Sequence, residues 1–166
     1  MRTAGVDAST KCTGVSIMND GKLEYYTLID LHKEKDVIKR MEIMMVKICE
    51  ELDKYELDKV YIEKCIFKGG NVDVTQKLSY LSGALMLYCV QHGIEFNNPL
   101  PSVWRKKIGI EQSSKVKRDV LKAEAILAVK KEYGIDVGDD IAEAILISRS
   151  AFDLPKIEIS TDDLWN

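Results

Sequence analysis

Apolar positions come in short bursts at the start of the chain. Thr3 to Asp7 and Thr13 to Met18 are compact apolar segments, and Lys22 to Ile29 follows them, so each reads as a β-strand. Between the second and third, Asn19-Asp20-Gly21 is an Asp-Gly turn that favours a tight hairpin. The period then changes. Val37, Met41, Met44, Met45, Ile48 and Leu52 recur at helical spacing between Asp36 and Leu52, with charges on the opposite face, which predicts a helix whose methionines are core. Lys59 to Glu63 (KVYIE) is a brief buried strand ending on a carboxylate. Because it follows a helix, it reaches the sheet by a crossover and pairs parallel to the first strand.

Downstream, a linker from Lys64 to Asn71 leads to a helix over Asp73 to Gln91, stopped by Gly93, and Ile94 to Asn97 is a fifth strand. Pro101 starts a short helix through Ile108. Two more helices follow near Lys115 to Tyr133 and Asp139 to Phe152, and Pro155 to Asn166 reads as a loosely held acidic tail. The order βββαβαβαα predicts an α/β fold with a mixed five-stranded sheet flanked by helices. One domain over residues 1–154 and a tail over 155–166 account for the 166 residues.

Composition narrows the chemistry. No stretch approaches the roughly 18 apolar residues of a membrane span, and Asp7 and Lys11 interrupt any secretion signal, so a cytoplasmic location with no membrane partner is expected. Cys12, Cys49, Cys65 and Cys89 lack the spacing of a zinc motif and read as reduced core thiols. With His32 and His92 the only histidines, a catalytic metal has to be a hard cation held by carboxylates. The net charge of -3 hides an uneven distribution: from Ser102 to Lys131 nine basic residues face three acidic ones. Such a segment can meet phosphates, although part of it can equally be a solvated helix face.

Four acids carry the candidate chemistry. Asp7 and Glu63 each end a strand, and if those strands are neighbours the two converge. Asp140 and Glu143, three residues apart at a helix start, lie on one face whose apolar continuation (Ala144 to Ile147) would pack on the sheet and aim them at the strand ends. Any one of them alone could cap a helix or turn. Together they repel unless divalent cations neutralise them. Two Mg²⁺ ions about 4 Å apart suit such ligands and support in-line phosphodiester displacement.

GVDASTKCTGVSI, VYIEK and DDIAEAI resemble, in order and spacing, the three active-site segments of RuvC-type Holliday junction resolvases. That resemblance spans nearly the whole chain. It implies an RNase H-like fold, a homodimer, Mg²⁺ with Mn²⁺ able to substitute, and paired nicks in four-way DNA junctions. It places Asp7, Glu63, Asp140 and Glu143 as the catalytic and metal-binding acids, with Glu143 where many members carry aspartate. CIFKGGN resembles the loop that presents an aromatic to the junction, making Phe67 and Lys68 candidate DNA contacts, with Phe67 one residue out of place. PSVWRKKIGI and QSSKVKRD resemble the region that brings basic residues to the scissile phosphate. Lys115 is the best match there for a catalytic cation, with Arg105, Lys106, Lys107, Lys117 and Arg118 as DNA contacts. The short tail and these departures resemble a divergent, phage-encoded relative.

The helix over 73–91 is apolar on two sides and carries Ser79, Ser82, Gly83 and Ala84, so it is the expected dimer surface. Two other functions fit parts of the pattern. A branched-DNA-binding protein that does not cut would share the basic segment, and an actin-like ATPase would share the Asp-hairpin opening. The latter normally needs a second such domain and a glycine-rich phosphate segment, neither of which is present in the sequence.

Overall fold

The computed structural model describes residues 1–66, 72–113 and 115–159. Its sheet runs β3 (Lys22–Asp30), β2 (Cys12–Asn19), β1 (Arg2–Asp7), β4 (Lys59–Ile62), β5 (Glu95–Asn97). The first three strands are antiparallel and β4 and β5 add in parallel, giving the mixed five-stranded sheet. The hairpin between β2 and β3 turns at Asp20 and Gly21, both at positive φ (48° and 77°), which is the backbone that an Asp-Gly pair favours. The parallel β1–β4 pair puts Val6 beside Ile62, so Asp7 and Glu63 leave the sheet side by side.

Alternation along the central strands divides the core between two faces. Ala4, Val6, Val15 and Ile17 point one way, into a cluster with Met44, Ile48 and Leu52 of α1 (Val37–Leu52) and Leu85, Tyr88 and Cys89 of α2 (Val72–His92). The other face of β1 and β2 presents Gly5, Gly14 and Ser16. Here α5 (Asp139–Arg149) lies almost on the backbone: a Cβ on Gly5 would stand 2.2 Å from the Ala144 carbonyl oxygen, and one on Gly14 2.0 Å from that of Asp140. The Ser16 hydroxyl donates to the Ala144 carbonyl at 2.8 Å, satisfying a buried polar group in the contact. α3 (Pro101–Ile108) and α4 (Arg118–Tyr133) complete this layer through Trp104, Ile108, Leu121, Ala125 and Val129. Three helices therefore close the chain, because Pro101 to Ile108 forms a full helix ended by Gly109 in the left-handed region.

Two boundaries differ from the pattern-based expectation. α4 begins at Arg118, since Lys117 is extended (φ −70°, ψ 151°) and Val116 turns back onto the Ser113 carbonyl. α5 ends at Arg149, beyond which Ala151 and Phe152 bond in tight turns. The segment from Pro155 to Ile159 is not loose: the Ile157 amide donates to the Ile108 carbonyl at 2.8 Å, Arg149 donates to the Pro155 carbonyl at 2.8 Å, and the Ile157 side chain is buried. Acidity hid the alternating Ile157 and Ile159, which pack on the α3–α5 layer. Among the described residues no helix is long and apolar enough to cross a membrane.

Candidate active site

A cleft of about 530 Å³ opens where β1 and β4 end, and Asp7, Glu63, Arg105, Gln112, Arg118 and Glu143 are among its walls. Asp7 is brought there by β1, Glu63 by the residue after β4, and Glu143 by the second turn of α5. Burial and the neighbouring charges of Glu143, Glu63 and Asp140 push the Asp7 carboxyl well above its ordinary range, with Arg105 opposing. Burial also raises Glu63, against the pull of Arg105 and a hydrogen bond from Trp104.

Arg105 organises this charge. Its guanidinium is ion-paired with Glu143 and stands 3.6 Å from Glu63, while its Nη1 donates to Gln112 at 2.9 Å. The Trp104 indole N–H donates to Glu63 at 2.7 Å, and the Arg105 guanidinium carbon sits 4.3 Å from the centre of the same indole ring. Arg105 is thus a buried wall of the cleft rather than part of an outer phosphate-facing surface. Its place in the run Arg105-Lys106-Lys107 gave no hint of this. The signal available was the phase of α3, which buries Pro101, Trp104, Arg105 and Ile108 together. Sequence reasoning missed Trp104 as the partner of Glu63 for the same reason.

Asp140 lies in the first turn of α5, and its charge reaches Asp7, but it is not among the cleft walls. Burial and the neighbouring Asp140 carboxylate push the Cys12 thiol up to about 12. Asp139 is held below the usual carboxylate range by its ion pair with Lys122. Lys106, Lys107, Lys115, Lys117 and Arg118 are exposed, and of these Arg118 lines the cleft. Phe67 and Lys68 lie outside the described residues.

The donor set fits a hard divalent cation. Three carboxylates face one recess, and burial there penalises Asp7 and Glu63 unless positive charge joins them. Arg105 supplies one such charge from the side, with its buried Nε lacking a hydrogen-bond partner.

Comparison with known proteins decides what this cleft belongs to. The family model described as "Crossover junction endodeoxyribonuclease RuvC" matches residues 3–147. The chain belongs to the RuvC family. Among curated relatives, the RuvC of Nitratidesulfovibrio vulgaris (strain Hildenborough) is 25% identical over 146 residues, covering 85% of this chain and 86% of that one. The RuvC of Halorhodospira halophila is 24% identical over 148 residues, covering 87% of each. Two solved structures share the fold. T. thermophilus RuvC in complex with a Holliday junction substrate has a TM-score of 0.71 at 17% identity, covering 90% of this chain and 91% of its own. Fowlpox virus resolvase with Holliday junction DNA has a TM-score of 0.59 at 17% identity, covering 91% and 96%. The RuvC-family chain is therefore RNase H-like in fold, and the nucleases of its family depend on divalent metal.

Proposed function

We propose that this RuvC-family chain is an endodeoxyribonuclease that nicks four-way DNA junctions, working as a homodimer with Mg²⁺ as its resident ion and Mn²⁺ as a substitute. The observation that carries this is the convergence of Asp7, Glu63 and Glu143 on one cleft at the ends of the parallel strands. These three acids, together with Asp140 from the first turn of α5, would hold the metal. When bound, such ions activate water and stabilise the leaving oxygen of a phosphodiester.

The chain's own residues orient and neutralise. Trp104 fixes Glu63 through its indole N–H, and Arg105 holds Glu63 and Glu143 at one wall. A phosphate entering the cleft gives Arg118 an anionic partner, so Arg118 stabilises developing charge there, while Arg105 keeps the acids of the wall in place. Lys106, Lys107, Lys115 and Lys117 provide the DNA-facing surface, Lys115 adds a further cation near the scissile phosphate, and Phe67 and Lys68 are further DNA contacts by resemblance alone. The nuclease unit extends beyond residue 154 to take in the docked segment through Ile159.

The test is cleavage of labelled four-way, three-way, flap and linear duplex DNA in Mg²⁺ and Mn²⁺. Paired nicks in the four-way junction, lost by at least about 100-fold in Asp7→Asn and Glu143→Gln proteins that remain folded, are expected. Equal cutting of every branched form would broaden the substrate. Junction binding with no cutting in either ion would replace the proposal with a binding module.

A further inference from the structure

Where β2 begins and β3 ends, a second group of side chains meets. Cys12 opens β2 and Asp30 closes β3 directly opposite it in the antiparallel register, while His32 follows two residues later. The Cys12 sulfur, an Asp30 carboxylate oxygen and a His32 ring nitrogen all lie within 4.8 Å of one another. Cys12 is half-buried, whereas Asp30 and His32 are open to solvent with side chains 58% exposed. The expectation that all four cysteines are core thiols therefore fails for this one, as it does for Cys65, which lines the cleft: the Cys12 thiol stands at the sheet's end, with Asp30, Asp139 and Asp140 near it.

The backbone around the group is fixed. The Leu31 amide donates to the Lys11 carbonyl at 2.8 Å, closing the strand pair just beyond Cys12 and Asp30. Arg40, buried in α1, donates through Nε to the Thr10 carbonyl at 2.7 Å and through Nη1 to the Glu34 carbonyl at 2.9 Å. One guanidinium thus ties the β1–β2 loop to the β3–α1 loop, on either side of the cluster. His32 Nδ1 already contacts Asp30 Oδ1 at 2.6 Å, so these two side chains turn toward each other.

We propose that Cys12, Asp30 and His32 form a binding site for a soft divalent transition ion, zinc by its ligand chemistry, with water completing the coordination. A thiol with an imidazole and a carboxylate selects zinc over the hard ions that suit an all-carboxylate cleft. Zinc bonds of about 2.0–2.3 Å in a tetrahedron set ligand atoms roughly 3.3–3.8 Å apart. Small rotations of the exposed Asp30 and His32 side chains reach that spacing while the strand ladder stays in place. Binding releases the thiol proton to solvent and leaves the thiolate on the metal. The site does not depend on the nuclease proposal.

Titration of the reduced, metal-free full chain with Co²⁺ as the probe is expected to give a thiolate-to-cobalt charge-transfer band and to show displacement by Zn²⁺. The band should vanish in Cys12→Ser, remain in Cys65→Ser, and need at least about tenfold more Co²⁺ in His32→Ala and Asp30→Asn, since even an outer-shell partner commonly contributes that much affinity. No band in the parent protein, or a band that survives Cys12→Ser, overturns the site.

Discussion

Arg105 holds a buried positive charge between two acids from different elements, Glu63 after β4 and Glu143 on α5. Breaking a buried ion pair by removing one partner typically costs about 3–5 kcal/mol, because the other charge is left uncompensated. Arg105→Gln is therefore expected to lower the melting temperature in chelator by roughly 6–20 °C, at about 2–4 °C per kcal/mol for a chain of this size. Adding Mg²⁺ should recover more of that loss than the gain it gives the parent protein, since the ion replaces the missing charge. Asp7→Asn has the opposite sign. It removes a charge that burial and three neighbouring acids disfavour, so in chelator at neutral pH this inactive protein should melt above the parent. Thermal unfolding with and without Mg²⁺ checks both, and an Asp7→Asn protein less stable than the parent would contradict the charge repulsion.

Legibility at this scale followed backbone constraint. The positions of Asp7 and Glu63 were readable because strand ends and parallel pairing fix where a residue leaves the sheet. The three-residue spacing of Asp140 and Glu143 put them on one helix face, but not that Asp140 neighbours Cys12 while Glu143 meets Arg105. Those choices depend on partners from distant parts of the chain, which local pattern does not encode.

At the scale of elements, the site is placed by the approach of α5 to β1 and β2. The approach depends on Gly5, Gly14 and Ser16 occupying alternate positions on the face opposite Ala4, Val6, Val15 and Ile17. In sequence the apolar half of the alternation announces strands, but the small half gives no sign that a helix backbone will lie against it. Gly14→Ala should displace the first turn of α5, because the new methyl would fall 2.0 Å from the Asp140 carbonyl oxygen. Overpacking of this kind costs about 1–3 kcal/mol. Nicking should fall further than stability does, since Asp140 rides on the displaced turn and Glu143 on the turn that follows it. Gly134→Ala is no match as a control, because Gly134 has a φ of 69°. Gly83→Ala serves as a control for stability alone, since nothing lies within 4 Å of its Cβ position and alanine is favoured in a helix by up to about 1 kcal/mol, while its place on the exposed face of α2 keeps it out of the nicking comparison. A Gly14→Ala protein with full activity would show that the cleft tolerates movement of α5. The docking of Pro155 to Ile159 belongs to this scale too: Gly109, at φ 109°, leaves room for the Ile157 carbonyl 2.8 Å from its Cβ position, a long-range fit that the acidic composition of the tail concealed.

For the whole molecule, the open question is how one cleft per chain would cut two strands. α2 buries Leu81, Leu85, Tyr88 and Cys89 against the chain's own core, yet its other side leaves Tyr80, Met86, Leu87 and Val90 between 50% and 70% exposed. With Gly83 they fall on one face of the helix, forming an apolar stripe that a solvated helix would not keep. A second copy of the chain across a two-fold axis would cover the stripe with itself and set two clefts on a substrate of matching symmetry. Leu87→Glu paired with Val90→Lys should therefore yield a folded monomer, seen as a halved mass in light scattering with the melting transition retained. On a four-way junction the monomer should give unpaired single nicks at a reduced rate, because the second cut would need a fresh binding event instead of a tethered partner. A double variant that stays dimeric would move the interface away from α2. If the parent protein is itself monomeric at working concentration, the paired-nick mechanism loses its basis even with the chemistry of the cleft intact.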